Sequence, residues 1–351
     1  MDGFSRINTG EIIEDKYGVV YSADGGILLK AKIEKFNCRK YTIPVQTDII
    51  WEGAFEGIDS LEEIVFEDVD GRSSFQYVGE FAFCNCKNLK KIHLPNSIRI
   101  MGQCIFRGCS HLEEIHFPER MDRIPCECFQ GCSSLKTINI PKGLKCFEIC
   151  SFSGCKSLEH IQWPKTLEWI EDTAFYGNGF KEVILPEGLL FIGEDAFRDC
   201  RHLERLVIPS TVKDIIPWTV SSNKYFQGID CHSPFFRIEQ DALIRNEDNT
   251  MLCCWSKRKE YTVPKSVRNL AGFSSYYVEK LIAHEPINNL GYDCFCGCKK
   301  LKSFEFKAIE NIHPSAFYGL KGITVTVDGK EIEIPNDDST IQILPYYNYE
   351  G

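Results

Sequence analysis

Between Ala82 and Pro209 the chain writes one short phrase over and over: AFCNCKNLKKIHLP, IFRGCSHLEEIHFP, CFQGCSSLKTINIP, SFSGCKSLEHIQWP, AFYGNGFKEVILP, AFRDCRHLERLVIP. Each copy is anchored on a phenylalanine, and Phe83, Phe106, Phe129, Phe152, Phe175 and Phe197 follow one another at intervals of 23, 23, 23, 23 and 22 residues. A unit this short cannot bury its own apolar face. It must stack on copies of itself, so a period in the twenties specifies a solenoid. Dividing the length by an average domain size therefore has no meaning here, because each coil packs only on its neighbours.

Inside a unit, the stretch after the anchor reads LKKIHLP, LEEIHFP, LKTINIP or LEHIQWP. An isoleucine alternates with polar neighbours and a proline closes the run. This predicts a short strand that stops where proline removes a ladder donor. Stacked coils then give a parallel sheet with a step of about 4.8 Å. An apolar pair such as Ile98/Ile100 or Leu167/Ile170 begins the return side. The segment before the anchor, as in IGEDAF (192–197), reads as a turn into a short helical or irregular piece.

The repeat register also accounts for much of the cysteine content, 18 residues in 351. Cys86, Cys109, Cys132, Cys155, Cys200 and Cys298 each stand three residues after an anchor. One position per coil makes a ladder, and free cysteine behaves there as a small buried hydrophobe. So many unpaired thiols favour a reducing compartment. The opening MDGFSRINTGEIIEDKYG has no basic start followed by an apolar core, so no secretion signal is expected.

At 43% hydrophobic residues the chain has ample material for a core. With 40 basic and 50 acidic residues its net charge is −10, which argues against a nucleic-acid or anionic-membrane surface. No apolar run approaches the ~18 residues needed to cross a bilayer.

Two passages interrupt the short coils. YGVVYSADGGILLKAKIEKFNCRKYTIP (17–44) places a turn composition, Asp24-Gly25-Gly26, between apolar runs, as a hairpin does. FRIEQDALIRNEDNTMLCCWSKRKEYTVP (236–264) matches it: Val19-Val20 with Leu243-Ile244, Asp24-Gly25 with Asp248-Asn249, Tyr41–Pro44 with Tyr261–Pro264. Each hairpin unit feeds a run of coils, the first anchored from Phe55 to Phe197 and the second on Phe273, Phe295 and Phe317. An insertion around EDVDGRSSFQ (67–76) lengthens the first gap. The expected organisation is an N-terminal cap with hairpin (1–44), a first repeat run (45–216), a linker with the second hairpin (217–264), a second run (265–322) and a β-rich C-terminal cap (323–351).

The outward strand face carries the candidate binding residues. Eight positions after the anchor stand Lys91, Glu114, Thr137 and His160, with Lys181 or Glu182 in the shortened coil. Ten positions after stand His93, His116, Asn139 and Gln162. Alternation puts both columns opposite the isoleucine ladder, with Phe117 and Trp163 one position on as large members of the same surface. His93 and His116 occupy equivalent places on adjacent coils, about 5 Å apart at the strand spacing, but two ligands are too few for a structural zinc site. Cys126-x-Cys128-x3-Cys132 and Cys294-x-Cys296-x-Cys298 superficially resemble metal-ligand clusters, but Cys132 and Cys298 are ladder positions and zinc sites favour C-x2–4-C pairs with a second pair brought close. Trp51, Trp169, Trp218 and Trp255 read as core or coil-edge residues before sugar platforms. No catalytic motif stands in a supporting context. No metal or cofactor is expected.

The pattern IGEDAFRDCRHLERLVIPSTVKDI (192–215), together with the GVVYSADGGILL and ALIRNEDNTMLCC hairpins, resembles the BspA-like leucine-rich repeats of bacterial and some protozoan surface proteins. The likeness runs over about residues 17–327. It implies a leucine-rich-repeat solenoid: a curved stack of about ten coils of 22–23 residues, with a parallel β-sheet on one face. It further implies a non-enzymatic, protein-binding role, with host-matrix adhesion described for some members and a cell-surface or secreted location. The asparagine of the commoner L-x-x-L-x-L-x-x-N/C-x-L repeat is missing from the pattern. The expected function is a scaffold that grips a partner protein through the outward strand face. The alternatives are a glycan-binding surface protein and a thiol-rich metal or redox protein.

Overall fold

The computed structural model describes residues 11–67 and 75–332. The expectations for 1–10, for most of the insertion (68–74) and for the tail from 333 onward lie outside the described residues. The chain divides into two units, Met1–Pro234 and Phe235–Gly351.

Each unit starts with an antiparallel hairpin module. In the first, Ile12–Glu14, Val19–Ser22 and Ile27–Ala31 pair in order. In the second, Phe236–Glu239, Ala242–Arg245 and Thr250–Cys254 do the same. Gly25 (φ 75°) and Asn249 (φ 57°) hold the left-handed turn position that these residue types tolerate. A register shift falls at equivalent places, Val20/Tyr21 and Leu243/Ile244. The two modules correspond in structure with Val20/Tyr21 opposite Leu243/Ile244, one residue out of step with the sequence match of Val19-Val20 to Leu243-Ile244.

After the hairpin the pairing becomes parallel and the coils stack. In the first unit the outward ladder comprises Lys40–Ile43, Glu63–Phe66, Lys91–His93, Glu114–His116 and Thr137–Ile138, then Glu182–Ile184, Arg205–Ile208 and Gly228–Cys231. In the second it comprises Glu260–Thr262, Lys280–Ala283, Ser303–Phe306 and Thr324–Val327, the last closed by an antiparallel strand, Lys330–Ile332. The two units together hold about 13 turns. Those beyond the phenylalanine-anchored coils are the two hairpin modules and a coil in which Val220 replaces the anchor.

The outward ladder is the parallel sheet expected on one face, and the return side adds ladders of its own. Two-residue strands such as Cys146–Phe147, Trp169–Ile170 and Phe191–Ile192 pair in register there. Of the two readings of the segment before the anchor, helical or irregular, the irregular one holds: no helix occurs among the described residues. The reason is a left-handed residue two positions before each anchor: Phe81, Cys104, Glu127, Cys150, Thr173 and Asp195 all have φ between 53° and 56°. Right-handed helix cannot pass through such a residue. The kink turns anchor amides along the stack, so Phe83 N donates to Ile105 O and Phe106 N to Cys128 O, both at 2.9 Å.

The anchors form a spine. Consecutive rings from Phe55 to Phe197 stack with centroids 5.0–5.7 Å apart and planes within 22°. Each buried ring contributes about 2–3 kcal/mol by its apolar area, with offset stacking adding to it. Beside the spine, the cysteine ladder does more than fill volume. Cys86, Cys109, Cys132, Cys155 and Cys200 donate their thiols to the carbonyls of Phe55, Phe83, Phe106, Phe129 and Phe175, at 3.0–3.2 Å. In the Val220 coil, Asn223 takes the ladder position and donates to Phe197 O at 2.9 Å.

Candidate functional site

The outward residues are set by strand alternation. Lys91, Ile92 and His93 are exposed, buried and exposed in turn, and Glu114, Ile115 and His116 repeat the order with His116 half-buried. Parallel register sets Glu114 beside Lys91 and beside Thr137, and His116 beside His93. Lys91 Nζ lies 3.7 Å from Glu114 Oε2. The imidazoles of His93 and His116 lie flat on one another, with centroids 4.0 Å apart and planes 8° from parallel. Burial, and next the neighbouring His93, hold the His116 pKa below its ordinary value.

The remaining candidates are placed differently. Thr137 is exposed. Asn139 is occupied: its Oδ1 accepts from Phe117 N at 2.7 Å and its Nδ2 donates to Phe117 O at 2.9 Å, so the side chain replaces the strand that ends at Ile138. His160 and Gln162 are exposed but lie on no strand, because the outward ladder breaks between Thr137–Ile138 and Glu182–Ile184. The break coincides with Trp163, whose indole packs edge-on against Phe147 and Phe175 at 5.8 and 5.3 Å. Phe117 and Trp163 are thus not members of the outward surface. Phe117 is fully buried and Trp163 half-buried, since alternation returns the eleventh position to the core. In the shortened coil Glu182, not Lys181, takes the column, paired in register with Arg205.

Extending the eighth-position count back to Phe55 adds Glu63, which sits beside Lys91 in register and pairs with Lys40 at 2.9 Å. A second column, one residue earlier, alternates in sign as well. It joins Glu62 to Lys90 at 2.9 Å, Glu113 to Lys136 at 3.2 Å and Lys181 to Glu204 at 3.7 Å. Both additions follow from offsets already present in the repeat. Exposed pairs of this kind are worth under about 1 kcal/mol each. Their effect is to leave a polar face whose charges neutralise one another locally. Over this part of the face runs an open groove of about 710 Å³, with Val65, Phe66 and Pro95 contributing apolar wall and Lys91, His93 and His116 contributing polar wall.

Elsewhere, in the cysteine clusters, Cys126 and Cys296 are half-buried. Cys128, Cys132, Cys294 and Cys298 are buried, and among the described residues no group of three or more His, Cys, Asp or Glu is arranged to hold a metal ion. Of the tryptophans, Trp218 is buried, Trp51 and Trp255 are half-buried, and Trp169 is exposed on the return side beside Phe191, with centroids 5.7 Å apart. No described helix is long and apolar enough to cross a membrane.

The sequence matches the profile of the BspA type leucine rich repeat region in 6 copies, over residues 33–158, 122–250 and 265–342. Among solved structures, the fold is similar to a leucine rich cell surface protein from Faecalibacterium prausnitzii, 18% identical, covering 90% of this chain and 79% of that one at a TM-score of 0.50. It is also similar to a leucine-rich repeat protein from Bacteroides ovatus, 20% identical, covering 90% and 85% at a TM-score of 0.49. The search of curated proteins gave no match. Repeat profile, stacked anchors and parallel coils agree, and the chain belongs to the BspA type leucine-rich repeat family.

Proposed function

We propose that this protein is a non-enzymatic scaffold that binds a partner protein through the outward strand face of its first unit. Extended repeat surfaces serve this purpose because side chains at fixed offsets recur along a rigid sheet. The observation that carries the reading is the groove over Glu63, Lys91, His93, Glu114 and His116. There an apolar wall adjoins hydrogen-bonding groups held in register by the strands beneath. Thr137, His160 and Gln162 extend the contact surface past the groove, while Asn139 supports it from within. Interfaces of this type draw their affinity from an apolar centre and their specificity from the polar rim.

The test is capture by the full chain from a lysate and from a panel of matrix proteins. The wild type is compared with a triple variant, Glu114→Lys, His116→Ala, His160→Ala. The expected outcome is at least a tenfold loss of affinity for the captured protein with little change in thermal midpoint, since these side chains are outward-facing. Undiminished capture by the triple variant would place recognition elsewhere on the molecule.

A further inference from the structure

Stacked histidines at one register position of two adjacent strands are an unusual thing to build into an outward face. Centroids 4.0 Å apart with planes 8° from parallel suit two neutral rings, or one neutral and one charged. Two imidazolium ions at that separation repel, and the parallel strands beneath fix their Cα positions through the pairs Glu114↔Lys91 and His116↔His93. The rings can separate only by changing rotamer.

The surroundings bias the pair toward a single proton. Along its own strands stand Lys91 and Glu114, already paired. The strand on one side brings Glu63, itself held by Lys40. On the other side stand the uncharged Thr137 and Asn139. The turn beyond brings Glu119, which favours a charged His116, against the burial and the neighbouring ring that oppose it. Glu119 therefore favours a proton on His116, and the stack opposes a second charge beside it.

We infer that the stacked His93–His116 pair is a proton-operated switch in this face: uncharged and stacked near neutrality, it takes one proton on mild acidification and comes apart when the second arrives. The inference rests on the binding reading above only for its consequence. A partner seated on the flat, neutral pair would meet first a charge and then a rearranged groove. Histidine places this change in the range that cells and body surfaces traverse.

Nuclear magnetic resonance of the imidazole Cε1–H groups in the full chain tests it, titrated from about pH 8 to about pH 4.5 with assignment by His93→Asn and His116→Asn. The expected result is two separated steps, with ring-current shifts that disappear at the second. In His93→Asn, the midpoint of His116 should rise, because the neighbouring ring that adds to the effect of burial is gone. Backbone spectra confirm that the variants stay folded. A His116 curve that superimposes in wild type and His93→Asn overturns the switch. The outcome is independent of partner capture. Split titration without capture at any pH keeps the switch and removes the binding reading. Coincident titration with capture intact does the reverse.

Discussion

Ser151 sits one residue before the anchor Phe152, fully buried, and its Oγ has no hydrogen-bond partner. The equivalent residue is alanine at Ala54, Ala82, Ala174 and Ala196. An unpaired buried hydroxyl costs about 1–3 kcal/mol relative to a paired one. Ser151→Ala should therefore be neutral or raise stability by about 1 kcal/mol, read as a higher urea midpoint at unchanged slope. The cysteine column follows the opposite logic. Its thiols are hydrogen-bond donors to anchor carbonyls, and Asn223, in the same column, makes the same bond. Composition made the ladder visible in the sequence. The donor role was not visible, because it depends on a carbonyl in the preceding coil, some 25 residues away in sequence.

At the scale of one coil, the structure depends on how closely backbone passes backbone. A Cβ on Gly102 would lie 2.5 Å from Glu80 N, whereas Gly143 has open space around it. Gly102→Ala should destabilise by about 1–3 kcal/mol through overpacking against rigid main chain, while Gly143→Ala should change stability by less than about 0.5 kcal/mol. Thermal unfolding of the two variants side by side checks this. The same closeness explains why the segment before the anchor is irregular. In IGEDAF, Asp195 sits at φ 54°, and the anchor amide that follows, Phe197 N, donates along the stack to Thr219 O at 2.9 Å. The outward columns were legible because offsets eight and ten from the anchor translate directly into strand register. Offset eleven was misjudged for Phe117 because its size suggested a surface role, where alternation places it in the core.

Over the whole molecule, the thiols bear on how stability depends on pH. Burial pushes Cys86 and Cys200 up from the ordinary 9.0 to about 12, and other ladder cysteines rise for the same reason. A raised folded-state pKa means the native chain holds protons that the unfolded chain releases. The stabilising contribution is complete below pH 9 and is lost as pH climbs from there toward 12. Urea midpoints should accordingly be flat through neutrality and fall above about pH 9, with the slow alkylation of native ladder thiols accelerating over the same window. A midpoint that holds steady through that range would show that the ladder titrates as it does in the unfolded chain. Thiols sheltered in this way do not by themselves indicate a compartment.

The sequence alone determined the class of architecture, because a period of 22–23 residues with a buried anchor admits only stacking. It also identified the paired hairpin modules, since a left-handed turn position demands residues such as Gly25 and Asn249. Only the tertiary structure decided what neighbouring coils do to one another. It showed the second ladder on the return side, the left-handed kinks, the thiol-to-carbonyl bonds, the occupation of Asn139 by Phe117 and the flat stacking of His93 on His116. Each of these is a relation between residues about one repeat apart. A linear pattern records that such residues are equivalent, but their contact geometry is fixed only once the coils have closed on one another.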